Sequence, residues 1–232
     1  MKLLGLIAAL LTAQLPATSG LYFTTFAVPN LGDMRYAISL PDGYNPREPR
    51  PLVLALHPGG QRVEYYGAAF VEQIVGPALN DLDAIIVAPD CPTDAWTDPV
   101  AERAVLALVR AVMREFNIDD ERVLVTGFSL GGRGTWHLAA RQPRLFTAAI
   151  PIAGSTGDVP TERLAQIPTY VIHGREDEVV SFESTRRVAE ELEELERAVE
   201  FKALDGVSHF QMNAYIEPLR EAGRWVERQW AR

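Results

Sequence analysis

The chain has 232 residues, 47% of them hydrophobic and 23% charged, which supplies enough apolar material for one well-cored domain. Its formal charge is −9, from 22 basic and 31 acidic residues, and Lys2 and Lys202 are its only lysines. That balance excludes a general nucleic-acid binder, because phosphate backbones demand clustered positive charge. The single cysteine, Cys91, excludes an internal disulfide and a cysteine-based structural zinc site, and it reads as a small buried residue at a strand end.

The N-terminus has the order of a signal peptide: Lys2, an apolar run from Leu3 to Leu11, then Pro16 and the small-residue site Ala17-Thr18-Ser19. The apolar part is too short to span a bilayer, and no cysteine follows it to take a lipid. The expectation is removal of residues 1–19 on export and one domain over 20–232. The mature chain would be secreted or periplasmic, with no stable membrane insertion.

Tyr22 to Val28 and Arg35 to Leu40 form a hairpin around Asn30-Leu31-Gly32-Asp33. Leu52 to Leu56 and Ala84 to Ala88 are continuous apolar runs, as expected of strands buried on both faces, with helical pattern from Ala69 to Leu79 between them. Asp98-Pro99 is a helix start, and Val105, Leu108, Val109, Val112 and Phe116 then recur at helical spacing. Further strands are predicted at Ala148 to Ile152, Thr169 to His173 and Val199 to Leu204. A helix with Val188, Leu192 and Leu195 inward separates the last two, and Ile216 to Trp230 closes the chain as a helix.

Between Asn117–Glu121 and the strand at Ala148 lies the stretch that organises the rest. Val123 to Thr126 is a short apolar strand, Gly127-Phe128-Ser129-Leu130-Gly131 fits G-x-S-x-G, and Trp136, Ala139 and Ala140 continue as helix. A sharp strand-to-helix turn strains the serine backbone, and glycines two residues to either side remove the Cβ atoms that would clash. The bland alternative is a glycine-rich turn with no chemistry. Eight strands with the elbow after the fifth give a mostly parallel sheet covered on both faces, the α/β-hydrolase layout. The loops at its carboxyl ends carry His57, Asp90, Ser129, Gly154, Asp177 and His209.

A serine needs a base, and in this layout the acid and the histidine follow it in that order. Of His57, His137, His173 and His209, only His209 lies after a plausible acid; His57 and His173 end strands and suit buried backbone, and His137 is too far along the elbow helix. Asp177 is the preferred acid, with Glu176, Glu178 and Asp205 as alternatives. For the oxyanion, one N–H belongs to Leu130, and the other comes from His57-Pro58-Gly59-Gly60. Pro58 has none, so the donor is Gly59 or Gly60, with Gly59 preferred.

From Arg35 onward the chain resembles bacterial secreted serine esterases of the α/β-hydrolase superfamily. The group is the one holding feruloyl and acetylxylan esterases, polyhydroxybutyrate depolymerases and phospholipase/carboxylesterase-like proteins. The resemblance is carried by Arg35-Tyr36 with Leu40-Pro41-Asp42-Gly43-Tyr44, by Leu56-His57-x-Gly59-Gly60, and by Ala88-Pro89-x-Cys91-Pro92 with Trp96. Gly127 to Trp136, His173-Gly174-x-x-Asp177 and His209 complete it. It implies a Ser129–His209–Asp177 triad with an acyl-enzyme, and Gly60 and Trp96 beside the substrate, though a buried core tryptophan is the alternative for Trp96. Pro58 departs from the glycine usual in that loop.

The expected substrate is a small-molecule or polymer-displayed carboxylic ester, with no metal or cofactor and no nucleic-acid partner. A serine peptidase on the same triad and a silent binding module are the other readings. Only sixteen residues separate Ile152 from Thr169, too few for a cap domain, so an open cleft favouring short acyl groups is expected.

Overall fold

The structure is a computed structural model that describes residues 16–60 and 63–232, so the body of the expected signal peptide, residues 1–15, lies outside it. Eight strands form one sheet: β1 (Gly20–Val28), β2 (Gly32–Leu40), β3 (Arg50–Leu56), β4 (Ile85–Pro89), β5 (Ile118–Phe128), β6 (Ala148–Ile152), β7 (Thr169–Gly174) and β8 (Val199–Leu204). Their order is β1-β2-β4-β3-β5-β6-β7-β8; β2 is antiparallel to both β1 and β4, and every other pairing is parallel. All eight strands are those the apolar runs predict. β5 differs in starting at Ile118, because Ile118 pairs with Arg50 before a register shift near Leu52.

Alternation along β3 shows why the sheet needs cover on both sides. Leu52, Leu54 and Leu56 enter one core with Val105, Leu108 and Val112 of α3 (Pro99–Glu115) and Leu138 of α4 (Leu130–Arg141). Val53 and Ala55 enter the other, with Phe70, Leu79, and Leu219 and Val226 of α6 (Ile216–Trp230). The run predicted as one helix near Ala69–Leu79 is composite: α1 (Tyr66–Phe70), a π-helical turn (Val71–Val75), α2 (Gly76–Leu79) and a 3-10 turn (Asn80–Leu82). Asp98 caps α3 as expected, accepting the N–H of Val100 at 2.7 Å ahead of Pro99.

On α5 (Phe182–Glu194), Leu192 is fully buried and Val188 partly so, but Leu195 is exposed. It falls at the C-cap, where the chain leaves the helical path, so the inward stripe ends one turn earlier than its spacing predicts. The stretch between β6 and β7 holds only a 3-10 turn (Thr161–Arg163), and no cap domain interrupts it. No helix of the described residues is long and apolar enough to cross a membrane.

The sheet order places the site. β4 lies on one side of β3 and β5 on the other, so the connections leaving β3 and β4 diverge around the carboxyl end of β3. Leu56 pairs with Gly127, which brings the His57–Gly60 loop beside the turn that ends β5.

Candidate active site

Ser129 sits between β5 and α4 with φ 55° and ψ −112°, outside the regions open to most side-chain-bearing residues. Such a conformation costs about 1–3 kcal/mol and persists only where neighbours over-determine it. Its N–H donates to the carbonyl of Ile152 at 2.9 Å, and its own carbonyl accepts from Arg133 at 2.9 Å, so both sides of the residue are pinned. The flanking glycines are obligatory. A Cβ on Gly127 would lie 2.6 Å from the backbone of Gly131, and one on Gly131 would overlap the carbonyl oxygen of Leu56.

The turn aims the serine at the last histidine. Ser129 Oγ stands 2.8 Å from Nε2 of His209, and Nδ1 of His209 stands 2.7 Å from Oδ2 of Asp177. An ionised carboxylate can only accept, so Nδ1 carries the ring proton and Nε2 is free to accept from the serine hydroxyl. Burial opposes ionisation of Asp177, but the hydrogen bond from His209 and the N–H groups of Val180 and Val179 outweigh it and hold the carboxyl below its ordinary value. The three alternative acids go elsewhere. Glu176 accepts the N–H of Val207, Glu178 accepts the backbone N–H of His209, and Asp205 pairs with Arg175.

Gly59 and Leu130 face each other across the turn: a Cβ on Gly59 would lie 3.7 Å from the Leu130 side chain. Leu130 is the first residue of α4, where backbone N–H groups have no intrahelical acceptor. Gly60, at φ +148°, borders a cavity of about 370 Å³ with His57, Tyr66, Asp94 and Leu130, beginning one residue beyond the serine.

Trp96 is the correction. It is 1% exposed, donates its indole N–H to the carbonyl of His57 at 3.0 Å, and fills the notch left by Gly134, where a Cβ would lie 2.5 Å away. It braces the loop from beneath and is not among the residues that line the cavity, whose wall its neighbours Thr93 and Asp94 help to form.

His57 serves backbone, as expected. Its Nε2 accepts the N–H of Cys91 at 3.1 Å, which puts the ring proton on Nδ1, 2.7 Å from the carbonyl of Pro58. Burial depresses its basicity further than Pro58 and Asp90 restore it.

Three side chains make contacts that sequence reasoning does not name. Tyr215, fully buried, accepts the N–H of Gly174 at 3.1 Å and so anchors the turn that carries Asp177; burial pushes its phenol up to about 12. His137 binds Glu102 of α3 at 2.9 Å, a buried carboxylate also held by Arg141. His173 lies against Asp177 itself, 3.2 Å from its Oδ2. Their partners are distant in sequence or across a turn, and no spacing signals them. Among the described residues, no three His, Cys, Asp or Glu side chains are grouped to hold a metal ion.

An eight-stranded sheet with this strand order, and a serine on a strained turn after its fifth strand, define an α/β-hydrolase. The family model of the dienelactone hydrolase family matches residues 85–232, and the chain belongs to that family. An Aspergillus flavus protein named Probable feruloyl esterase C is 29% identical over 160 residues, covering 67% of this chain and 59% of the relative. The chain thus spans about six tenths of the length of the curated relatives it matches. Among solved structures, a thermostable esterase superposes with a TM-score of 0.70 at 30% identity, over 91% of this chain and 60% of that one. A ferulic acid esterase gives a TM-score of 0.74 at 15% identity, over 93% of this chain and all of that one, a likeness of fold alone.

Proposed function

We propose that the chain is an exported serine hydrolase that cleaves carboxylic esters, with Ser129 as nucleophile, His209 as general base and acid, and Asp177 as the group that orients His209. The observation that carries this reading is the unbroken run of hydrogen bonds from Asp177 through His209 to Ser129, ending on a serine held at positive φ. As Ser129 Oγ attacks the ester carbonyl, His209 takes its proton at Nε2 and the Asp177 carboxylate stabilises the imidazolium. The N–H groups of Leu130 and Gly59 would receive the oxyanion. His209 then protonates the departing alcohol, and water, deprotonated by the same imidazole, releases the acid from the acyl-enzyme.

The cavity beside the elbow is lined by the apolar Leu31, Met34 and Val63 and by the acidic Asp33 and Asp94. Its modest volume and the absence of a cap between β6 and β7 suit short acyl groups, or esters displayed on a polymer, over long acyl chains. Export rests on the order of charge, apolar run and small residues over 1–19.

The test is fluorophosphonate labelling of Ser129 together with rates on aryl esters from acetyl to palmitoyl. Labelling at Ser129 with fastest turnover of short acyl groups is expected. An unlabelled chain would be a silent scaffold, and a rate maximum at long chains that rises with micelle formation would rule out the open site.

A further inference from the structure

The acid of the relay is touched by two imidazoles. His173, in β7, is fully buried. Its Nε2 lies 3.2 Å from Oδ2 of Asp177, the oxygen that also receives His209, and 3.1 Å from the carbonyl oxygen of Val180. Both neighbours of Nε2 are acceptors, so that nitrogen carries the proton; it donates to the Val180 carbonyl and sets its positive edge against Oδ2 of Asp177. The other ring nitrogen, Nδ1, is buried with no hydrogen-bond partner among the described residues.

An unpaired buried nitrogen destabilises a fold, and an apolar ring of similar shape would avoid the penalty. What histidine supplies here and phenylalanine would not is the Nε2–H. Burial lowers its basicity more than Asp177 and Val180 raise it, so it donates as a neutral ring and adds no positive charge. The other charged and titratable groups around it are accounted for. Glu178 holds the backbone of His209, and Tyr215 holds Gly174. Phe182 of α5 packs edge-on against the His173 ring and carries Arg175 over its own ring, the guanidinium being paired with Asp205.

We propose that His173 is a positioning residue of the reaction: its Nε2–H, anchored on the Val180 carbonyl, sets a positive edge against Oδ2 of Asp177 and offsets part of that oxygen's charge, so that the carboxylate orients His209 without locking it as imidazolium. The proposal rests on the triad reading of Ser129, His209 and Asp177. His173 touches neither the serine nor the cavity beside it, so its effect falls on turnover and on proton affinity and leaves substrate binding alone.

The experiment compares His173→Phe, which keeps a ring and loses the donor, with His173→Gln, whose amide returns an N–H near the Nε2 position. His173→Phe should lose about tenfold to a hundredfold in kcat, the scale seen when a partner behind a functional side chain is removed. KM should stay within about twofold. The acid limb of kcat/KM should move to higher pH by about half a unit, because an undivided Asp177 charge holds the His209 imidazolium more firmly. His173→Gln should recover most of both changes. A His173→Phe profile that overlays the wild type, a His173→Gln variant impaired as much as His173→Phe, or a loss expressed in KM would overturn the proposal.

If His173→Phe does not fold, ¹⁵N NMR of the wild type decides. The expected result is a neutral, Nε2-protonated His173 at neutral pH; an Nδ1-protonated or charged ring there overturns the proposal. Fluorophosphonate separates the two layers of inference. A wild type that is not labelled at Ser129 overturns the triad and this proposal with it, whereas a labelled enzyme with an unmoved His173→Phe profile overturns the proposal alone.

Discussion

Two histidine–carboxylate pairs in this molecule have nearly the same geometry and opposite surroundings. His209 lies 2.7 Å from Asp177, and His137 lies 2.9 Å from Glu102. In each, burial opposes the charge and hydrogen bonds outweigh it, so both carboxyls lie below their ordinary range. Glu102 is closed off: Arg141 donates Nε to both of its oxygens at 3.0 Å, and Gln142 reaches it at 3.5 Å. Among the described residues, Asp177 meets no guanidinium. Its partners are two backbone N–H groups, His209 and His173, and the far nitrogen of His209 is left for Ser129. A short histidine–carboxylate contact therefore does not by itself mark an active site. What differs is whether the carboxylate's charge is already matched by a cation, and what waits at the other ring nitrogen.

Breaking the comparison at the relay should give the largest effect. Ser129→Ala and His209→Ala should each cost about six orders of magnitude in turnover, by analogy with other serine hydrolases, with the fold intact. Steady-state kinetics alongside circular dichroism would check both halves, and a tenth of the activity retained would end the assignment. Asp177→Asn should cost about four orders through the wrong imidazole tautomer. The parallel substitution Glu102→Gln should leave kcat within about twofold. Its cost should be stability, about 1–3 kcal/mol, because Arg141 loses the carboxylate that matches its charge and His137 loses a charged acceptor. Urea midpoints for the two variants would show the contrast, and comparable activity losses would erase it. His137→Ala removes only one of the donors on Glu102 and should cost about 1–2 kcal/mol with activity kept.

The smallest effect is on acid stability. Because the folded-state pKa of Glu102 is depressed, its contribution is fully present above the unfolded carboxylate value near about pH 4.3 and is lost as pH falls through the lower folded value. Urea midpoints at about pH 7, 4 and 3 should fall less steeply for Glu102→Gln than for the wild type. Identical slopes would show that the pair does not couple to folding.

Most of the architecture is legible because burial on both faces writes continuous apolar runs, as in Leu52 to Leu56, and because the elbow must have glycine where backbone meets backbone. Asp177 and His209 could be named from chain order once the elbow was recognised. The Glu102–His137 pair could not, since its members stand on different helices, 35 residues apart. Trp96 stayed open between rim and core for a related reason. A tryptophan near a rim looks the same in sequence whether its ring faces the cleft or the core, and only the notch at Gly134 decides. The helix after β3 was legible as helical and illegible as a π turn, because an extra residue per turn leaves the apolar count nearly unchanged.

The backbone contacts under the nucleophile also divide the molecule for laboratory evolution. Side chains added at Gly127, Gly131 or Gly132 would overlap main-chain atoms of β3, β6 or the elbow itself, so random substitution there yields mostly unfolded clones. Leu31, Val63 and Asp94 stand exposed on separate loops around the cavity and touch neither Ser129 nor His209 through any hydrogen bond described above. Libraries confined to those three positions would vary the shape offered to an acyl group while inheriting the reactive geometry unaltered. The same fold is thus brittle at one end of the cavity and permissive at the other, a few residues apart in space.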